Sequence, residues 1–144
     1  MFLTAALLTS GCATYSKTSF ALRQSLSAGD TDGASRALRG HKKGPDQLLY
    51  LLETALISHR NADYVRSNAL FEKAERLADR LHTRSATREA ASLLTNDAVR
   101  AYRGEPFELA LINYYRALNY CNLGQPEDAL VECRKANRKL ARLA

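Results

Sequence analysis

The sequence predicts an all-α protein built from antiparallel helix-turn-helix pairs. Gly and Pro are sparse among the 144 residues (7 and 3), and Leu, Ala and Arg are abundant, which favours helix. From Phe20 onward apolar residues recur at helical spacing, interrupted by short segments that contain Gly or Pro. The apolar fraction of 46% and the charged fraction of 25% are those of a folded domain with its own core.

Three pairs of helices are expected. Pro45 with Asp46 marks the start of one helix, and Gly104 with Pro106 marks a break before another. The segment 83–102 is expected to form an additional helix. The predicted pairs are residues 18–28 with 31–39, 46–59 with 63–81, and 106–122 with 126–142.

The last predicted helix has two distinct faces. At 100° per residue its apolar side chains fall within about 40° of one line and its basic side chains fall opposite. We expect the apolar face to be buried and the basic face to be either solvated or in contact with lipid headgroups or an anionic polymer. The apolar face consists of Ala129, Cys133, Ala136, Leu140 and Leu143, and the basic face of Lys135, Arg138, Lys139 and Arg142.

The first eleven residues, MFLTAALLTSG, carry no charge and are typical of the apolar core of a secretory signal, although the positive leading segment is missing. Small residues then precede Cys12, and Thr9-Ser10-Gly11-Cys12 resembles the lipobox of bacterial lipoproteins. That resemblance implies a signal segment over 1–11, a lipidated Cys12 and a tether over 12–19. Ala13 after the cysteine implies the periplasmic face of the outer membrane.

Two later stretches, residues 62–77 and 124–140, share a turn followed by small and apolar residues at matching positions, and residues 28–38 form a weaker copy. These stretches resemble the tetratricopeptide repeat, a helix-turn-helix unit of about 34 residues. Small residues allow two antiparallel helices to approach closely. The resemblance implies that residues 20–144 form a stacked solenoid. Superimposing the turns aligns Ala55 with Ala117, Phe71 with Cys133, and Ala74 with Ala136.

Residues 101–137 are also similar to an uncharacterised family of bacterial lipoproteins with tetratricopeptide repeats, whose members share a Tyr-Arg-Gly-Glu-Pro-Phe-Glu step. Members of that family are longer, so we expect a truncated C-terminus. The resemblance implies a membrane-anchored periplasmic interaction scaffold. Its expected partner is an unidentified envelope protein or peptide. The expected partner-binding residues lie in NYYRALNY and are Tyr114, Tyr115, Arg116 and Asn119, with core packing of the tyrosines as the alternative.

Catalytic motifs are absent from the sequence, which has no Gly-rich phosphate loop, no nucleophile elbow and no Cys-x-x-Cys. We therefore expect no enzyme activity, no cofactor and no metal, and, if the chain is exported, no nucleic-acid partner. The alternative is an envelope or polysaccharide-associated factor whose catalytic or binding part is missing from this chain. His41, His59 and His82 are expected to be solvated.

Cys121 and Cys133 fall on apolar faces of two successive helices. In an oxidising periplasm they could form a disulfide if their Cα atoms come within about 7 Å. Their unequal distances from the intervening turn favour two buried thiols, and both alternatives stay open from the sequence.

Overall fold

The structure, a computed structural model, describes the backbone of residues 12–89 and 101–143 and the side chains of 17–83 and 101–143. Six α-helices make up this part of the chain, and no strand occurs within it, so the predicted all-α class is confirmed. The helices are α1 (Cys12–Ser27), α2 (Thr31–Ala37), α3 (Gln47–Arg60), α4 (Tyr64–Glu89), α5 (Pro106–Asn122) and α6 (Pro126–Leu140), with a 3-10 turn (Arg39–His41) between α2 and α3.

Two helices are longer than predicted. The first begins at Cys12 instead of residue 18, so residues 12–19, the predicted tether, are helical in this structure. The fourth continues without a break to Glu89, where the sequence predicted an end near residue 81 and a separate helix over 83–102. Neither extension contains Gly or Pro, so nothing in the local sequence stops either helix. Residues 90–100 of the predicted extra helix lie outside the described residues.

Neighbouring helices form antiparallel pairs, α1 with α2, α3 with α4, and α5 with α6, and α5 also packs on α4. The main core lies where α3, α4 and α5 meet, with Phe71 at its centre, and a smaller core joins the first pair to α3. The main core contains Leu48, Ala55, Phe71, Ala74, Ala78 and Ile112; the smaller contains Leu22, Ala34, Leu38 and Ile57.

The turn inside each pair has the same geometry. Gly29, Ala62 and Gly124 all have positive φ, at 75°, 57° and 70°. The residue after each one donates its N–H to the carbonyl five residues earlier, over distances of 2.8, 3.0 and 2.9 Å. This is the Schellman arrangement that closes a helix C-terminus.

Residues at the same distance after each turn have similar burial in the three pairs, with one exception. The fifth residue after each turn is a buried small side chain, Ala34, Ser67 or Ala129. The ninth is buried in the first two pairs, as Leu38 and Phe71, but exposed in the third, as Cys133. The third pair therefore differs from the other two because no following helix within the described residues covers it.

A short segment before α5 is attached to the rest of the domain by hydrogen bonds. Tyr102 donates its N–H to the Pro45 carbonyl at 2.9 Å, and its hydroxyl donates to the Glu108 carboxylate. That carboxylate also accepts the N–H of Glu105, closing a capping box at the start of α5. Gly104 has a φ of 80°, a backbone conformation that favours glycine, and a Cβ there would lie 2.9 Å from a Leu109 methyl group, which would have to shift.

Candidate protein-interaction surface

A buried ionic cluster joins α4, α5 and α6. The Arg116 guanidinium on α5 lies 3.1 Å from a Glu75 carboxylate oxygen on α4 and 3.3 Å from one of Glu132 on α6. The Asn113 amide, one turn away on α5, donates to Glu132 at 2.6 Å and to Glu75 at 3.3 Å. Arg116 is therefore the bridge between two acids on different helices, and a guanidinium suits that role because its donors diverge in a fixed plane.

Two lysines of α6 complete this cluster. Lys139 donates to the Glu75 carboxylate at 2.7 Å and to the Leu109 carbonyl at 3.1 Å, and Lys135 donates to Glu132 at 2.9 Å. Both lysines are half-buried. The prediction that all four basic side chains face solvent or an external anion is therefore wrong for two of them. Lys135 and Lys139 face the protein, whereas Arg138 and Arg142 are exposed.

The cluster sets the ionisation of Glu75. Burial opposes its charge, but the hydrogen bonds and charges of Lys139, Asn113 and Arg116 outweigh burial and lower the pKa of Glu75 below its ordinary value. Within the described residues two buried atoms of the cluster, Asn113 Oδ1 and Arg116 Nε, have no hydrogen-bond partner. The cluster thus fixes helix orientation at an energetic cost.

The rotation of α6 follows from this cluster. Because Glu132 is buried with its two lysines beside it, most of the apolar face turns outward. Ala129 is buried as predicted, but Leu140 and Leu143 are each 49% exposed and Cys133 is exposed. The prediction that this whole face is buried is wrong, because no following helix within the described residues covers Cys133, Leu140 and Leu143.

The outward face of α6 and the adjoining face of α5 enclose a groove of about 310 Å³. Asn137 is its only strongly polar side chain, and the Tyr114 ring, 51% exposed, lies within it. Phe107 and Leu111 are also exposed there, so the surface is apolar and open. The groove is lined by Phe107, Ala110, Leu111, Tyr114, Ala117, Cys133, Ala136, Asn137 and Leu140.

The four predicted partner-binding residues lie in different environments. Tyr114 is in the open groove, and Tyr115 is half-buried, stacked on the Phe71 ring with centroids 5.9 Å apart. Arg116 belongs to the ionic cluster, and Asn119 is fully buried. Of these four residues, Tyr114 presents the most side chain to an incoming partner.

Asn119 is the centre of a second polar network. Its amide nitrogen donates to the Ser67 hydroxyl and to the Asn68 carbonyl, each at 2.9 Å, and its oxygen accepts the His59 Nδ1 proton at 2.6 Å. The Ser67 hydroxyl donates in turn to the Ala55 carbonyl at 2.9 Å. Ser67, which stands where the other two pairs have Ala34 and Ala129, is therefore the partner of Asn119 on α5.

Two of the three histidines depart from the predicted solvation. His41 is 8% exposed, with Nδ1 2.9 Å from the Asp46 carboxylate and Nε2 2.9 Å from the Thr18 hydroxyl. His59 is half-buried, and His82 is exposed as expected. His41 is buried because the 3-10 turn folds it against α1 and the start of α3.

The cysteines also differ from both predicted alternatives. Cys121 and Cys133 are free thiols, and both are exposed, so they are neither buried nor bonded to each other. Cys12 is the first residue of α1, and its side chain lies outside the described residues, as does the whole segment 1–11.

A second cleft, of about 390 Å³, lies between α3, the end of α1 and α5. It contains the Glu53 carboxylate, and burial, followed by the nearby charge of Glu108, raises the pKa of Glu53. Tyr115 and His59 form another wall, with ring centroids 5.2 Å apart. The described residues that line the cleft mix apolar and polar groups, and no serine, threonine or cysteine is among them.

Among the described residues, no group of three or more His, Cys, Asp or Glu side chains could hold a metal ion. None of the helices in the described part of the chain has both the length and the apolar character needed to span a bilayer. No family model, curated protein or solved structure matches the chain.

Removal of the Glu75 charge tests the cluster. Glu75→Gln should lower the free energy of unfolding at pH 7 by about 2 kcal/mol, because Arg116 and Lys139 lose a common anion in a partly buried site. The matched control is Glu72→Gln on the exposed side of α4, where loss of the pair with Arg76 should cost less than about 0.5 kcal/mol. Urea denaturation followed by circular dichroism measures both.

The same cluster predicts a pH dependence. Since the folded-state pKa of Glu75 is lowered, its stabilisation is present above the ordinary glutamate pKa and is lost as pH falls through the lower, folded value. The gap between wild type and Glu75→Gln should therefore narrow as the pH falls below the ordinary glutamate pKa and close below the lowered, folded value. Equal costs for Glu72→Gln and Glu75→Gln, or a gap that does not change with pH, would contradict this assignment.

Proposed function

We propose that this chain is a lipid-anchored bacterial lipoprotein of the cell envelope whose tetratricopeptide-like domain is a scaffold that binds another protein in the α5–α6 groove. The observation that carries the proposal is the groove itself, a continuous apolar surface that contains exposed Phe107, Tyr114 and Leu140. Exposed apolar surfaces of this kind mark sites of protein association. The domain acts by binding and not by catalysis.

The packing of the first two pairs supports a repeat solenoid. Ile57 of α3 packs with Leu22 and Leu38 of the first pair, and Ile112 of α5 packs with Phe71 of the second. In each case the first helix of the following pair covers the apolar side of the preceding pair, as in a stacked repeat array. The groove lies on the corresponding apolar side of the third pair.

The proposed location comes from the N-terminal sequence. The uncharged segment followed by Thr9-Ser10-Gly11-Cys12 supports lipidation at Cys12. Acyl chains on that residue would hold the domain at a membrane surface, since each buried methylene contributes about 0.8 kcal/mol. The proposed site is the periplasmic face of the outer membrane.

Lipidation is tested by labelling. Cells expressing the chain with radioactive palmitate should yield a labelled, membrane-associated protein, and Cys12→Ser should abolish the label because the acylated thiol is gone. Cys121→Ser, which removes an exposed thiol elsewhere, is the matched control and should keep the label. An unlabelled wild-type protein would refute the anchor.

The interaction site is tested by site-specific photocrosslinking in intact cells. A photoreactive amino acid in place of Tyr114 should give one discrete adduct with a protein identifiable by mass spectrometry, and Leu140→Glu should remove the adduct by placing a charge in the groove. The same probe in place of Val65, 68% exposed on α4 and outside the groove, is the control and should give none. Adducts of equal yield at both positions would contradict the proposed site.

A further inference from the structure

The cleft between α3, the end of α1 and α5 is a second candidate site, and it shares no lining residue with the α5–α6 groove. We propose that this cleft binds an organic cation, an alkyl guanidinium or ammonium group of the kind that a basic side chain or a free amine carries. The head of the cation pairs with the Glu53 carboxylate, and its stem packs against the apolar walls. The inference goes beyond the proposed function, because it concerns a different surface and a different ligand.

The Glu53 carboxylate supplies the negative charge. It lines the cleft and is half-buried, and within the described residues it makes no hydrogen bond and no ion pair. Burial raises the pKa of Glu53, and the nearby charge of Glu108 on α5 raises it further. Glu108 accepts hydrogen bonds from the Tyr102 hydroxyl and the Glu105 N–H, which are neutral donors. Two neighbouring carboxylates therefore attract a cation to this end of the cleft.

His59 offers the cleft a second hydrogen-bond acceptor. The Asn119 amide fixes the tautomer of the ring, because its nitrogen donates to Ser67 and Asn68 and its oxygen therefore accepts the proton of His59 Nδ1. In the neutral ring Nε2 then carries a lone pair, and within the described residues it has no hydrogen-bond partner. Since Glu53 and Nε2 both accept, a ligand that contacts them must donate, as guanidinium and ammonium groups do.

Apolar groups form most of the remaining lining and suit the stem of such a cation. The Tyr115 ring stacks on Phe71 and contacts the His59 ring, which holds this wall in place. Long basic side chains pack their methylene stems on apolar surface while the head stays polar. The volume of about 390 Å³ lies within the range of about 300–1,000 Å³ found for ligand sites. The apolar walls are formed by Leu26, Leu56, Ile57 and Tyr115.

Arg60 is a cation at this cleft, but its position leaves Glu53 free. It is exposed, and its guanidinium donates to the Leu26 carbonyl at 3.4 Å. Pairing with Arg60 would lower the pKa of Glu53, which is instead raised. An anionic ligand would meet Arg60 but would be repelled by the carboxylate at the other end. The net charge of +6 opposes a cation only at long range, since physiological salt screens charges beyond about 8 Å.

Three tripeptides test the ligand class on the full 144-residue chain, labelled with ¹⁵N. Each is an acetylated, amidated alanine tripeptide whose middle residue is arginine, citrulline or glutamate, and citrulline has the shape of arginine without its charge. The arginine peptide should cause saturable chemical-shift changes at the amides of Leu26, Leu56 and Arg60. The citrulline peptide should bind at least about tenfold more weakly, because hydrogen bonds to charged groups are the stronger ones, and the glutamate peptide should give no saturable change.

Variants of the chain identify the anion. Glu53→Gln keeps the size of the side chain and should weaken binding of the arginine peptide at least about tenfold. It should also raise the midpoint of thermal unfolding, because it removes a charge that burial and Glu108 disfavour. The matched control is Glu72→Gln, which removes an exposed carboxylate from α4 and should leave binding unchanged. Leu140→Glu, in the other groove, should leave it unchanged as well, so the two sites are tested separately.

Agmatine, which carries the guanidinium head without a peptide backbone, distinguishes the two sources of the cation. Tighter binding of the arginine peptide would indicate a basic side chain, and tighter binding of agmatine would indicate a free amine. Three results would overturn the inference: no saturable change with either guanidinium probe, equal affinity for the arginine and citrulline peptides, or binding of the arginine peptide that Glu53→Gln leaves intact.

Discussion

Burial of the Arg116 guanidinium decides how the last three helices meet. Arg116 is 7% exposed, and a charge so far from water must be paired. Its partners come from two other helices, Glu75 from α4 and Glu132 from α6. The helices cannot rotate independently, because rotation of any one would leave a buried charge unpaired. Charge pairing therefore constrains the relative rotation of these three helices.

The same pairing fixes which side of α6 meets the rest of the domain, and the apolar side stays open because no following helix within the described residues covers it. A helix with one apolar and one basic face would ordinarily bury the first, but α6 buries Glu132 with Ala129 and places its lysines beside them. The cost is exposure of Leu140 and of the Cys133 thiol. Exposure of these side chains is compatible with a binding surface, because a binding surface needs a rigid support that holds it in a fixed orientation. The ionic cluster is the support, and the groove is the surface it presents.

Local signals made most of the fold predictable. Pro106 does open α5, Gly104 in the predicted break has a positive φ, and the turn between α5 and α6 falls at Gly124. The burial of Phe71 and Ala74 also agrees with the helical spacing of apolar residues. Each of these features depends on residues within one or two helical turns, which is the range over which periodicity and capping carry information.

The candidate site was less predictable because it depends on distant partners. Periodicity showed that α6 has two faces but not which one meets the rest of the protein, since Lys139 finds Glu75 across 64 residues. The buried role of Asn119 depends in the same way on Ser67, 52 residues earlier. Of the four predicted partner-binding residues, Tyr114 is exposed and Tyr115 is half-buried, whereas Arg116 and Asn119 are buried, a difference that the sequence pattern did not indicate.

The rotation of α6 is tested most directly by the reactivity of the Cys133 thiol. In a chain with Cys12→Ser and Cys121→Ser, the account predicts that Cys133 of the folded protein reacts with a disulfide reagent at a rate within about tenfold of that in urea, because the groove is open. A thiol introduced by Ala129→Cys in the same background should be strongly protected. Protection of Cys133 equal to that at position 129 would show that α6 buries its apolar face and would contradict the account.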